Sequence, residues 1–185
     1  MVAFRRLNNA DYRWVPWKNG GGMTQDLLKV PCAADVAAQW RISIARIDRS
    51  GPFSAYPGIE RVFMPIDGAG LHLDYGGAAP ARDVEPFEAV RFDGAWTTHC
   101  TLRGEQPCRA FNLLLDQAHA AGGLARRRLR GTAPFAAPGA ILLLYCLTGQ
   151  VGAPTPLGPG DSLCVEEAAE LSGDATLVEA RIRPL

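Results

Sequence analysis

The stretch Pro52-Phe53-Ser54-Ala55-Tyr56-Pro57-Gly58 has a counterpart further along the chain, Pro134-Phe135-Ala136-Ala137-Pro138-Gly139. In both, a Pro-Phe pair precedes a Pro-Gly turn signal, and a further glycine follows ten residues after the turn, at Gly68 and Gly149. Such Gly and Pro signals punctuate a chain between regular elements. Phe92-Asp93-Gly94 and Pro159-Gly160-Asp161 form another pair of candidate turns. The flanking segments alternate. In Trp40-Arg41-Ile42-Ser43-Ile44-Ala45-Arg46-Ile47, one face carries Trp40, Ile42 and Ile44 and the other Arg41, Ser43 and Ala45. A period of two marks a strand. Val62–Ile66, with Pro65 at an edge or bulge, Leu71–Tyr75, Arg109–Leu115, Ile141–Leu147, Ser162–Val165 and Thr176–Ile182 are further strand candidates. Gly68-Ala69-Gly70 and Gly76-Gly77 read as hairpin turns, and short helical pieces are expected within Pro31–Gln39 and Leu113–Leu124. Two similar modules of short strands point to an all-β fold of two jelly-roll barrels. The expected division is residues 1–105, carrying the pocket, and 106–185, mainly structural, together forming one compact unit.

The repeat is asymmetric where chemistry would matter. Arg61 lies three residues after Gly58, whereas Leu142 holds the matching place after Gly139. Polar groups are therefore expected in the first module.

Composition narrows the function classes. The chain has 185 residues, 48% hydrophobic and 21% charged, enough for a substantial core. Its 19 basic and 19 acidic residues cancel, which argues against nucleic acid as the main partner. Arg126-Arg127-Arg128-Leu129-Arg130 reads as a solvated patch in a neutral protein. No apolar run approaches the ~20 residues that span a bilayer, and no signal peptide is apparent at Met1–Arg6, so a cytoplasmic protein without a membrane partner is expected. The five cysteines are widely spread, form no C-x-x-C pair, and read as reduced, partly buried small hydrophobes.

Trp17-Lys18-Asn19-Gly20-Gly21-Gly22-Met23-Thr24 combines an amide with three glycines ahead of a strand. Free N–H groups in such a turn can form an anion-binding concavity. A tight chain reversal accounts for the same residues. The run lacks P-loop order, since its Lys precedes the glycines.

These motifs together with Trp40–Ala45 and Gly51-Pro52-Phe53-Ser54-x-Tyr56-Pro57-Gly58-x-x-Arg61 resemble the HutD/Ves family. Phe111-Asn112-Leu113 is similar to that family's Asp-Phe-Asn segment, with Ala110 in place of the acid. The resemblance is strong from about Tyr12 to Asn112 and weaker beyond. It implies a bicupin, that is, two cupin-like jelly-roll modules, and a link to bacterial histidine utilisation through small-molecule binding or regulation.

Catalytic cupins gather His and carboxylate ligands on inward strand positions. Here His72, His99 and His119 are far apart in sequence with no His-x-His pair, so no metal, cofactor or catalytic residue is expected. Ser43 and Ser54 lack a G-x-S-x-G setting. The residues fit a pocket for a small carboxylate better. Arg41 and Arg61 supply bidentate guanidinium forks, and Ser43 shares the Arg41 face. Asn19 and the backbone of Gly20, Gly21 and Gly22, with Thr24, cap the site, while Trp17, Phe53, Ser54 and Tyr56 furnish walls and loop contacts. Arg41 has a structural alternative, a pair with Asp26 or Asp67. The family context suggests formylglutamate or formiminoglutamate. Two other readings stand beside this one. An enzyme, hydrolase or isomerase, would draw an acid or base from Glu60, Asp26, Asp67 or His72. An interaction module would form a homodimer through a strand edge or apolar face.

Overall fold

The computed structural model describes residues 4–17, 20–30 and 39–185. β1 (Phe4–Leu7) joins the C-terminal strands described below. Ten strands follow: β2 (Trp14–Pro16), β3 (Gly22–Val30), β4 (Trp40–Ile47), β5 (Gly51–Pro52), β6 (Ile59–Pro65), β7 (Leu71–Asp74), β8 (Arg82–Val84), β9 (Val90–Asp93), β10 (His99–Leu102) and β11 (Cys108–Asp116). They build two antiparallel sheets, one ordered β2-β3-β4-β11-β6-β9 and the other β5-β10-β7-β8. Their core combines Ala45, Ile47, Phe63, Phe92 and Ala110 of the first sheet with Leu71, Leu73, Val84 and Cys100 of the second. Two sheets sharing one apolar core make a jelly roll, which deals with strand edges by folding one sheet over another.

The C-terminal strands are β12 (Ala120–Ala136), β13 (Ile141–Ala153), β14 (Ser162–Val165) and β15 (Ala168–Pro184). With β1 they form a sheet ordered β1-β14-β13-β15-β12, around a core that includes Leu129, Leu142, Leu144, Leu163, Leu171 and Leu177. Asp161 ties the N-terminal segment to this unit, accepting hydrogen bonds from the Asn9 N–H (2.9 Å), the Gly158 N–H (3.0 Å) and Arg6 (3.0 Å).

The repeated Pro-Gly signals have matching backbone conformations. Gly58 and Gly139 both adopt positive φ, +79° and +65°, ahead of β6 and β13, and the glycines ten residues later do the same. That conformation carries no steric cost only for glycine. All seven expected strand segments are strands.

Four expectations need correction. The units divide as Arg13–His119 and as Met1–Tyr12 with Ala120–Leu185, not at residue 105. The reason is pairing: β11 lies between β4 and β6, and β1 pairs with β14. Leu113–Leu124 contains no helix. Leu113, Leu114 and Leu115 continue β11, Asp116 turns the chain by accepting the Ala118 and His119 N–H groups, and Leu124 belongs to β12. A short run apolar on every position cannot distinguish strand from helix. Gly68-Ala69-Gly70 is not a hairpin, because β6 and β7 belong to different sheets. Pro65 ends an internal strand rather than an edge, beyond the last β6–β9 pair at Phe63 and Val90, where no ladder donor is needed. The Gly76-Gly77 turn does join paired strands, β7 and β8. The helical piece expected at 31–39 lies, apart from Gln39, outside the described residues.

Candidate functional site

Register places the polar residues. Residues directly opposite across paired strands share a face. Arg61 stands between Leu114 and Phe92, Asn112 between Phe63 and Ser43, and Ser43 in turn opposite Asp26. On the same face Phe63, Phe92, Ala45 and Ala110 enter the core, so this polar row lies on the inner face of the jelly roll. The alternation in β4 therefore separates two faces that are both largely buried, with Trp40, Ile42 and Ile44 on the other.

Arg61 is the centre of the row and only 6% exposed. Its Nε and Nη2 donate to Asn112 Oδ1 at 2.9 and 2.7 Å. Its guanidinium lies 4.2 Å from the centre of the Phe53 ring, with Phe63 at 5.5 Å and Phe92 at 5.6 Å. Cation–π attraction and the amide oxygen hold the group in place. Among the described residues no carboxylate pairs with it. Burial pushes the Arg61 pKa down to about 10, and the nearby Arg41 charge adds to this, while Tyr56 and Cys100 act in the opposite direction. The side chain stays protonated at neutral pH. A buried cation facing a neutral acceptor retains its full charge, and such charges ordinarily acquire an anionic partner.

The other expected site residues fall into three groups. Trp17, Thr24 and Phe53 join Arg61: Trp17 Nε1 donates to Thr24 Oγ1 at 2.7 Å, and the Trp17 ring meets Phe53 edge-on with centroids 6.5 Å apart. Ser43, 4% exposed, joins through its place beside Asn112, and Tyr56 through its electrostatic influence on Arg61. Arg41 lies in the same row but already has a carboxylate, Asp26, at 2.6 Å. Ser54 is exposed in the following loop. Asn19 lies outside the described residues.

The glycine run behaves as a chain reversal. The Gly20 N–H donates to the Trp17 carbonyl (3.0 Å), the Gly20 carbonyl accepts from Arg49 (2.7 Å), and the Gly21 carbonyl accepts the Asp48 and Arg49 N–H groups. A Cβ at Gly22 would sit 2.2 Å from the Arg46 carbonyl oxygen, so β3 can approach β4 there only with glycine.

Asn112, Phe63 and Phe92 complete the arrangement and were not among the expected site residues. Asn112 carried a signal, a lone amide within the apolar run Ala110-Phe111-Asn112-Leu113-Leu114-Leu115. A polar group in a buried strand needs a partner. The four acid–base candidates are engaged elsewhere: Asp26 with Arg41, Glu60 with Arg91, Asp67 with Arg109, and His72 with Asp83.

The sequence pattern of the HutD family matches residues 9–180. The chain belongs to the HutD family. A solved structure of HutD from Pseudomonas fluorescens SBW25 superposes with a TM-score of 0.82 at 28% identity, covering 99% of this chain and 100% of that one. An uncharacterised 21.2 kDa protein of the hutC 3′ region of Pseudomonas putida is 37% identical over 114 residues, 62% of this chain and 59% of its own length. Protein Ves of Escherichia fergusonii is 30% identical over 107 residues, 56% of this chain and 55% of its own. The chain thus spans a little over half the length of these curated relatives. The E. coli protein YhhW shares the fold alone, with a TM-score of 0.70 at 9% identity over 99% of both chains. These likenesses identify the jelly rolls of the HutD/Ves chain as cupin-like modules.

Proposed function

We propose that this HutD-family chain binds a small carboxylate metabolite, anchored by Arg61, and that binding serves regulation of histidine utilisation rather than catalysis. The observation that carries the reading is the buried Arg61 cation, which meets an amide oxygen where a purely structural arginine would meet a carboxylate. A ligand carboxylate would supply the missing charge through the fork geometry that guanidinium favours. Phe53 stacks on the cation and Trp17 supports Phe53, which holds the anchor in one orientation. Family membership and the hutC-region relative support a ligand drawn from histidine degradation, and the proposal takes it to be of the formylglutamate or formiminoglutamate class. Both have two carboxylates. The first would sit on Arg61, and the second would have to compete with Asp26 for Arg41.

The test is calorimetric titration of metal-stripped protein with formylglutamate, with glutamate and urocanate as controls. Saturable binding of formylglutamate is expected in the wild type. Arg61→Gln should weaken it at least a hundredfold, and Arg61→Lys, which keeps the charge and loses the fork, at least tenfold. Absence of both heat and thermal stabilisation with every compound would overturn the reading.

A further inference from the structure

We infer that the C-terminal unit holds a second binding site, for a small organic carboxylate with an apolar body, at the open end of its own core face. A cavity of about 440 Å³ lies there, within the usual size range of small-molecule sites. Among the described residues its walls come from β12 and β15.

Register explains why it exists. Ala121, Gly123 and Ala125 of β12 stand opposite Arg183, Arg181 and Glu179 of β15. Two steps further along, the same face carries Leu129 opposite Ala175, both fully buried in the core. On that face the leucine packing ends at Leu129; Arg127 follows, and beyond it Ala125, Gly123 and Ala121 are too small to fill the space, which stays open.

The charges around it are unbalanced. Glu179, 5% exposed, accepts from Arg127 Nε at 2.8 Å and from Arg181 Nε at 3.3 Å. Two guanidinium groups thus meet one carboxylate, and Arg181 also donates to the Ala136 carbonyl at 3.1 Å. Arg183 adds a third cation on the cavity wall, exposed and with no ion pair among the described residues. A carboxylate is the group that answers this excess. The small surfaces of Ala121, Gly123 and Ala125 take the apolar remainder. This site is independent of Arg61 and does not rest on the proposal above.

The experiment uses 4-fluorophenylacetate followed by 19F NMR, with uncharged 4-fluorophenylacetamide as its comparison. The wild-type chain should bind the acid saturably below 10 mM and at least tenfold more tightly than the amide. Ala125→Leu, which fills the cavity, and Arg183→Gln, which removes the unpaired charge, should each weaken binding at least fivefold with unchanged thermal midpoints. Arg61→Gln should leave it unchanged. No saturable binding, equal binding of acid and amide, indifference to both cavity variants, or loss confined to Arg61→Gln would each overturn the second site.

Discussion

A buried guanidinium with an amide oxygen as its partner is a different object from a buried salt bridge. Asn112 satisfies two Arg61 donors and leaves the charge uncancelled. Asn112→Asp tests this at nearly constant shape. The new carboxylate would neutralise Arg61, so carboxylate binding should fall at least a hundredfold while stability to urea is kept or rises. Asn112→Leu should instead destabilise the chain by about 3 kcal/mol, because it leaves a buried cation without an acceptor. Urea unfolding and calorimetry on the two variants separate the outcomes. Acidity gives a second test. As the Arg61 pKa is about 10 in the folded chain, affinity for a carboxylate should be flat from pH 6 to 9 and fall above pH 10 as the anchor loses its proton. A titration at pH 8, 9.5 and 10.5 would show it.

At the scale of elements, the decisive device is close approach between strands. β3 can lie against β4 because Gly22 has no side chain to meet the Arg46 carbonyl. Gly22→Ala should therefore cost about 1–3 kcal/mol, with the loss read as a lower urea midpoint at unchanged slope. The basic run shows how an element redistributes charge. Arg126–Arg130 lies in β12, where successive residues point to opposite faces. Arg127 reaches Glu179, and Arg128 reaches Asp174 and Thr176. The run is thus shared between two faces and paired across to β15, in place of one continuous basic patch.

For the whole molecule, the buried thiols set the behaviour in alkali. Burial pushes Cys100 and Cys108 up to about 12 and Cys146 to about 11, from an ordinary value near 9. Because the folded pKa values are raised, the stability these groups confer is complete below pH 9 and is lost as pH rises through 11–12. Each thiol should remove about 1 kcal/mol by pH 10. Arg61 acts with the opposite sign, but only above pH 10, where the unfolded chain holds the extra proton. Urea unfolding at pH 7, 9 and 10 should show stability falling after pH 9, with Cys146→Ala removing one share of that slope. Among the described residues the four buried cysteines are free thiols, in line with the reduced, hydrophobic role expected of them.

Period and punctuation were enough, in the sequence alone, for the strands of β4, β6 and β11, the duplicated modules and the asymmetry between Arg61 and Leu142. These are properties of neighbouring residues, and a period of two survives in any sheet. Pairing across the chain was not legible. Whether β11 belongs to the first unit, whether Gly68 turns a hairpin or crosses between sheets, and whether Arg41 meets Asp26 all depend on contacts between distant segments. The role of Arg61 was half visible: its type and place stood in the sequence, while Asn112, 51 residues away, entered only through the β6–β11 register. Folding brought an amide to one arginine and a carboxylate to the other, and that choice of partner decides which of the two charges remains available.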